Sequence, residues 1–177
     1  MMKYGATEYA YAEPFAEALL SDSKFRAWIL NKTKFAPFSA TARVLSEEML
    51  AARGKSAESW WRSHYTEKCR CEGCSGQETD ILAIFESGDA RFALHIEVKQ
   101  PTDRFPANKD QSTNYGIRAT CWIENPPTAI LRHGDAATVL VCSAFKLKEY
   151  APHPSRFDAV VTFESLRLDF PDATKAL

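Results

Sequence analysis

Gly88-Asp89 constrains this chain more than any other pair of residues. A Gly-X dipeptide between two runs rich in apolar residues marks a two-residue hairpin loop. Placing the loop fixes the strand register, because a slip of one residue turns every side chain to the other face. With Gly88 and Asp89 in the loop, Phe85 faces Phe92, Ala83 faces Leu94, Ile81 faces Ile96, and Glu86 faces Arg91. Apolar pairs and opposite charges across strands are favourable, so this register supports itself. The same register sets Asp80 against Glu97. Carboxylates so placed have Cβ atoms ~4.5–5.5 Å apart and oppose sheet formation. Period 2 adds His95 and Lys99 to the face of Glu97. The repulsion calls for a cation. Lys99 can supply it in a solvated ion-pair cluster. A divalent ion does so more strongly, and hard carboxylate donors suit Mg²⁺ or Mn²⁺.

Around the hairpin, apolar periodicity and capping residues predict a helical stretch over 14–30, with Pro14 in its first turn and a break at Ser21-Asp22-Ser23. A second helix is expected over 39–53, capped by Ser39 and closed by Gly54. A strand follows over 60–67, then strands over 79–87 and 90–99. A helix over 107–123 and strands over 137–144 and 159–163 complete the order. Helix, three strands, helix, strand, strand predicts an α/β (α+β) fold with a central mixed sheet flanked by helices. The length of 177 residues predicts a single domain over 1–177, with an N-terminal helical extension over 1–38. On the 39–53 helix, Glu48 falls among Val44, Leu45, Met49 and Ala52. An acid on an apolar stripe is either recruited to a site or snorkels to water.

No apolar run approaches the ~18 residues that span a bilayer, and the start lacks the layout of a signal peptide. The expectation is a cytoplasmic protein with no membrane partner. Net charge is −1, but residues 69–98 carry −4 between segments (1–68 and 99–118) of +2 each. That pattern suits either a cation site flanked by anion-binding surface or plain solvated faces. Three of the five cysteines, Cys69, Cys71 and Cys74, cluster in the 68–76 loop. With His64 they offer a Cys₃His set for structural Zn²⁺; a plain reduced loop is the alternative. Cys121 and Cys142 lie in apolar segments, where a free thiol behaves as a small hydrophobe. Trp60, Trp61 and Tyr65 are candidates to stack on bases of a single strand, or to pack in a core.

Thr79-Asp80, sixteen intervening residues, and Glu97-Val98-Lys99 together resemble the signature of the PD-(D/E)xK nuclease superfamily, with Thr79 standing at the proline position. Gln111-Ser112-Thr113-Asn114-Tyr115 is similar to the Gln-x-x-x-Tyr element of its exonuclease branch, and Gln111, Tyr115 and Arg118 share a helical face. The resemblance implies a restriction-endonuclease-like core over 39–165 and Mg²⁺-dependent hydrolysis of phosphodiester bonds in DNA. By it, Asp80, Glu97 and the Val98 carbonyl ligate Mg²⁺ or Mn²⁺, Glu48 joins them, and Lys99 orients the attacking water. Gln111, Tyr115, Arg104, Lys109 and Arg118 become substrate-binding candidates. A homodimer or larger assembly is compatible with it, as is an iron–sulfur cluster at the cysteines. The competing reading is a non-catalytic protein of nuclease fold that binds DNA or protein within a larger assembly.

Overall fold

The computed structural model describes residues 6–54, 57–62, 64–65 and 78–175. In chain order the elements are α1 (Ala6–Ser21), α2 (Ser23–Leu30), β1 (Arg43–Val44), α3 (Ser46–Arg53), β2 (His64–Tyr65), β3 (Glu78–Thr79), β4 (Ile81–Ser87), β5 (Ala90–Val98), α4 (Gln111–Glu124), β6 (Asp135–Cys142), α5 (Leu147–Tyr150), β7 (Ala159–Thr162) and α6 (Phe163–Asp169). The main sheet has the order β1-β4-β5-β6-β7. Its first two pairings are antiparallel and its last two parallel, so it is mixed, with helices around it. A second sheet joins β2 to β3 alone.

The hairpin forms in the expected register. Ile81 pairs with Ile96, Ala83 with Leu94, Phe85 with Phe92 and Glu86 with Arg91. Gly88 has φ +58°, a conformation that glycine adopts without the Cβ penalty of other residues. The Phe85 and Phe92 rings lie 5.5 Å apart, and Phe35 stacks on Phe92 at 4.2 Å. Burying each such aromatic or aliphatic side chain contributes ~1.5–3 kcal/mol, so the handful of large side chains in these pairs contributes on the order of the net stability of a domain.

The helix expected over 107–123 starts at Gln111, the strand expected over 137–144 runs Asp135–Cys142, and the strand expected over 79–87 is broken at Asp80; three further differences reshape the molecule more. The first helix begins at Ala6 rather than at 14, and Pro14 lies inside it. An interior proline lacks one helical hydrogen bond. The burial of Ala12, Phe15, Ala16 and Leu19 offsets that loss. These residues belong to the same core cluster as the sheet, so α1 is part of the core rather than an extension beside it. The helix expected over 39–53 starts only at Ser46, because Arg43 and Val44 pair with Glu86 and Phe85 as an edge strand. Its end at Gly54, φ +76°, is as expected. The strand expected over 60–67 is only His64–Tyr65 within the described residues. Trp60 and Trp61 are buried in the core, and the Trp61 carbonyl accepts from Leu82 N–H at 3.0 Å, covering the β4 edge beyond β1. Neither tryptophan is a stacking surface.

Among the described residues no helix is long and apolar enough to cross a membrane. Cys69, Cys71, Cys74 and the rest of the 68–76 loop lie outside the described residues, so the zinc assignment does too. Cys121 is half-buried and Cys142 buried.

Candidate active site

Acidic side chains converge at the open end of the hairpin, away from the Gly88 turn. Asp80 occupies the bend between β3 and β4. Its Oδ2 accepts from Val98 N–H at 2.7 Å, so the carboxylate continues the ladder where β4 has not yet begun. The N–H and C=O of a residue in an extended strand point to the same edge. The Val98 carbonyl is therefore turned toward Asp80 as well. Glu97 is 1% exposed. Its Oε1 pairs with Lys99 Nζ at 2.5 Å, its Oε2 is buried, and the Tyr115 phenol lies in reach of the carboxylate.

Glu8, on the first turns of α1, joins this group. Its carboxyl is in hydrogen-bonding reach of Asp80 and feels Glu97, Lys99 and Asp103. Burial, followed by repulsion from Glu97, pushes it up to about 7, against the opposing pull of Lys99 and the Asp80 contact. Asp80 is held well above the ordinary aspartate range, chiefly by burial and then by Glu97 and Glu8. Burial would lower the Lys99 ammonium, yet Glu97, with Asp80 and Asp103, outweighs it and keeps the group charged beyond the usual lysine range.

Glu48 does not take part. It is half-exposed and paired with Arg43 at 3.0 Å, beside Glu86. Glu86 stands six residues along β4 from Asp80, ~20 Å at the strand rise. The acid on an apolar stripe belongs to α1 instead. Glu8 precedes the buried Ala12, Phe15 and Ala16 by four, seven and eight residues, so it shares their helical face. The signal was an acid on an apolar stripe, hidden by starting the helix at 14.

Of the substrate-binding candidates, Tyr115 and Arg118 are fully buried. The Tyr115 hydroxyl accepts from Asp80 N–H at 3.3 Å and donates to the Glu78 carbonyl at 3.4 Å. Arg118 donates to the Thr79 hydroxyl and lies over the Tyr115 and Trp122 rings at 5.3 and 5.7 Å. Both hold the segment that presents Asp80, instead of facing outward. Burial, and after it Asp80 and Glu97, push the Tyr115 phenol well up. Gln111 opens α4, with its Oε1 buried and without a hydrogen-bond partner. Arg104 and Lys109 lie on the loop that leaves Lys99. The Arg104 side chain is 85% exposed and 3.8 Å from Glu149.

Among the described residues no three His, Cys, Asp or Glu side chains close on one point as a metal cluster. The donor set is instead two carboxylates and a strand carbonyl, with Glu8 beside Asp80. The buried Glu97 carboxylate and the mutual repulsion of Asp80, Glu97 and Glu8 fit a hard cation. Comparison with family models, with curated proteins and with solved structures finds no match.

Proposed function

We propose that this protein is a metal-dependent nuclease that hydrolyses phosphodiester bonds of DNA, as its resemblance to the PD-(D/E)xK superfamily implies. The observation that carries the reading is the junction of Asp80, Glu97 and Lys99 at the open end of one hairpin, with the Glu97 carboxylate fully buried. The element order supports it further. The antiparallel hairpin β4–β5, the helix α4 and the parallel β6 follow the order that the resemblance implies for a restriction-endonuclease-like core, while the third antiparallel strand, β1, comes before α3 instead of after it and β2–β3 form a separate sheet.

Asp80, Glu97 and the Val98 carbonyl would hold Mg²⁺ or Mn²⁺, with Glu8 in the role that the resemblance implies for Glu48. When bound, such an ion polarises a phosphoryl oxygen and lowers the pKa of an attacking water. Lys99 remains charged at every working pH, so its ammonium offsets the negative charge that grows on the phosphate. Its pairing with Glu97 fixes where that charge sits before substrate arrives, which removes the cost of reorganising it. Tyr115 and Arg118 position Asp80 from behind and touch no substrate.

Plasmid cleavage in Mg²⁺ or Mn²⁺, against EDTA, tests the reading. Wild type cuts with metal and not with EDTA. Asp80→Ala and Lys99→Ala lose cutting while keeping the circular-dichroism spectrum of the fold. Full activity in either variant refutes the assignment. DNA binding without cutting under every metal condition favours the non-catalytic alternative.

A further inference from the structure

A cleft of about 170 Å³ opens beside Lys99, between the loop that leaves β5 and the segment that follows α5. Its walls combine three rings with Ala151 and the carboxylate of Glu149, which lies 3.8 Å from the Arg104 guanidinium. Phe105 stacks on His153 with centroids 4.3 Å apart and meets Tyr150 edge-on at 5.1 Å. Hydrogen bonds outside the cleft hold two of these rings: His153 Nδ1 lies 2.8 Å from Ser112 Oγ, and the Tyr150 hydroxyl donates to the Asp103 carbonyl at 2.7 Å. The open side carries the exposed guanidinium of Arg104. Lys99 Nζ lies 5.0 Å from the centre of the Phe105 ring, so one wall of the cleft is in contact with the lysine of the site.

We infer that this cleft receives one unpaired base of the strand whose phosphate lies at Lys99, which makes the preferred substrate single-stranded or locally melted DNA. This rests on the nuclease reading and deepens it. The cleft is smaller than the ~300–1,000 Å³ of sites that enclose larger organic ligands, and its size suits one planar heterocycle. Rings, two of them fixed by hydrogen bonds, with the Arg104–Glu149 pair at the rim, form a stacking platform of the kind that holds unpaired bases. A base and its own phosphate are one sugar apart, which matches a wall shared with Lys99. The adjoining turn before α5 presents Phe145, 69% exposed, as a ring for a neighbouring base. A net charge of −1 gives little of the broad basic surface on which duplex binding depends.

The test uses the whole chain without added metal, so that no strand is cut. Binding of a short labelled oligothymidylate is compared with an abasic strand of equal length and with a duplex. The two single strands carry the same phosphates and differ in their bases alone. The expected result is that oligothymidylate binds about five-fold or more tightly than the abasic strand and more tightly than duplex. Phe105→Leu and Phe145→Ala shrink the gap by weakening oligothymidylate only. Equal binding of abasic strand and oligothymidylate, or tighter binding of duplex, overturns the inference. If Phe105→Leu fails to fold, the wild-type comparison and the exposed Phe145→Ala decide it. A chain that stacks bases yet cuts nothing keeps the cleft and loses the nuclease; one that cuts duplex and binds abasic strand equally does the reverse.

Discussion

Glu8→Gln should stabilise the metal-free protein at alkaline pH, although it alters a residue of the candidate site. The Glu8 carboxyl rises on folding from an ordinary value of 4.5 to about 7. Between those values the folded chain holds a proton there that the unfolded chain has released. The contribution to stability is complete below pH ~4.5 and is lost as pH climbs through 7. At ~1.4 kcal/mol per tenfold change the full linkage is ~3 kcal/mol. Glu8 keeps part of its surface in water, so solvent screening discounts this to ~2 kcal/mol. Glutamine copies the protonated form, including an N–H for Asp80, at every pH. Thermal unfolding in EDTA at pH 5 and pH 8 measures the effect. For a chain of this length 1 kcal/mol moves the Tm by ~2–4 °C, so the variant should gain ~4–8 °C over wild type at pH 8 and little at pH 5. Mg²⁺ should then raise the wild-type Tm at pH 8 more than that of the variant, because the ion relieves a repulsion that glutamine has already removed. Parallel pH profiles for the two proteins would refute the placement of Glu8 against Asp80 and Glu97.

Glu48→Ala should leave plasmid cleavage unchanged and cost under ~1 kcal/mol in urea unfolding, since its ion pair with Arg43 is exposed. Tyr115→Phe removes the hydroxyl that bridges Glu78 and Asp80; it should lower kcat more than it raises KM, with ~1 kcal/mol of stability lost, read by kinetics and chemical denaturation together. Gly88→Ala forces a Cβ onto a φ of +58° and should cost ~1 kcal/mol or more in thermal unfolding without shifting the pH profile of cleavage.

The hairpin was legible because its evidence is local. A turn dipeptide, alternating apolar residues and one charge pair all lie within twenty residues, and each demands the same register. That was enough to bring Asp80, Glu97 and Lys99 together on paper. The third acid was not legible in the same way. Its neighbours in space are more than seventy residues away in sequence, and the helix that carries it contains a proline that imitates a helix start. Arg43 and Val44 misled for a related reason: an edge strand of two residues has no periodicity to read, so only its pairing with β4 separates it from the helix that follows. Tyr115 and Arg118 were placed on the correct face of α4, but a helical face does not say whether it meets solvent or a sheet. The small parallel strand β7 and the order of the sheet depend on packing of whole elements, and yet the coarse succession of helix, strands, helix and strands had announced them.

The arrival of Glu8 from a separate helix ties chemistry to assembly. A nascent or half-melted chain carries an unremarkable hairpin with two acids and a lysine at one end. Docking of α1 supplies the last carboxyl, so the charge cluster exists in full only in a molecule in which α1 has already met the hairpin.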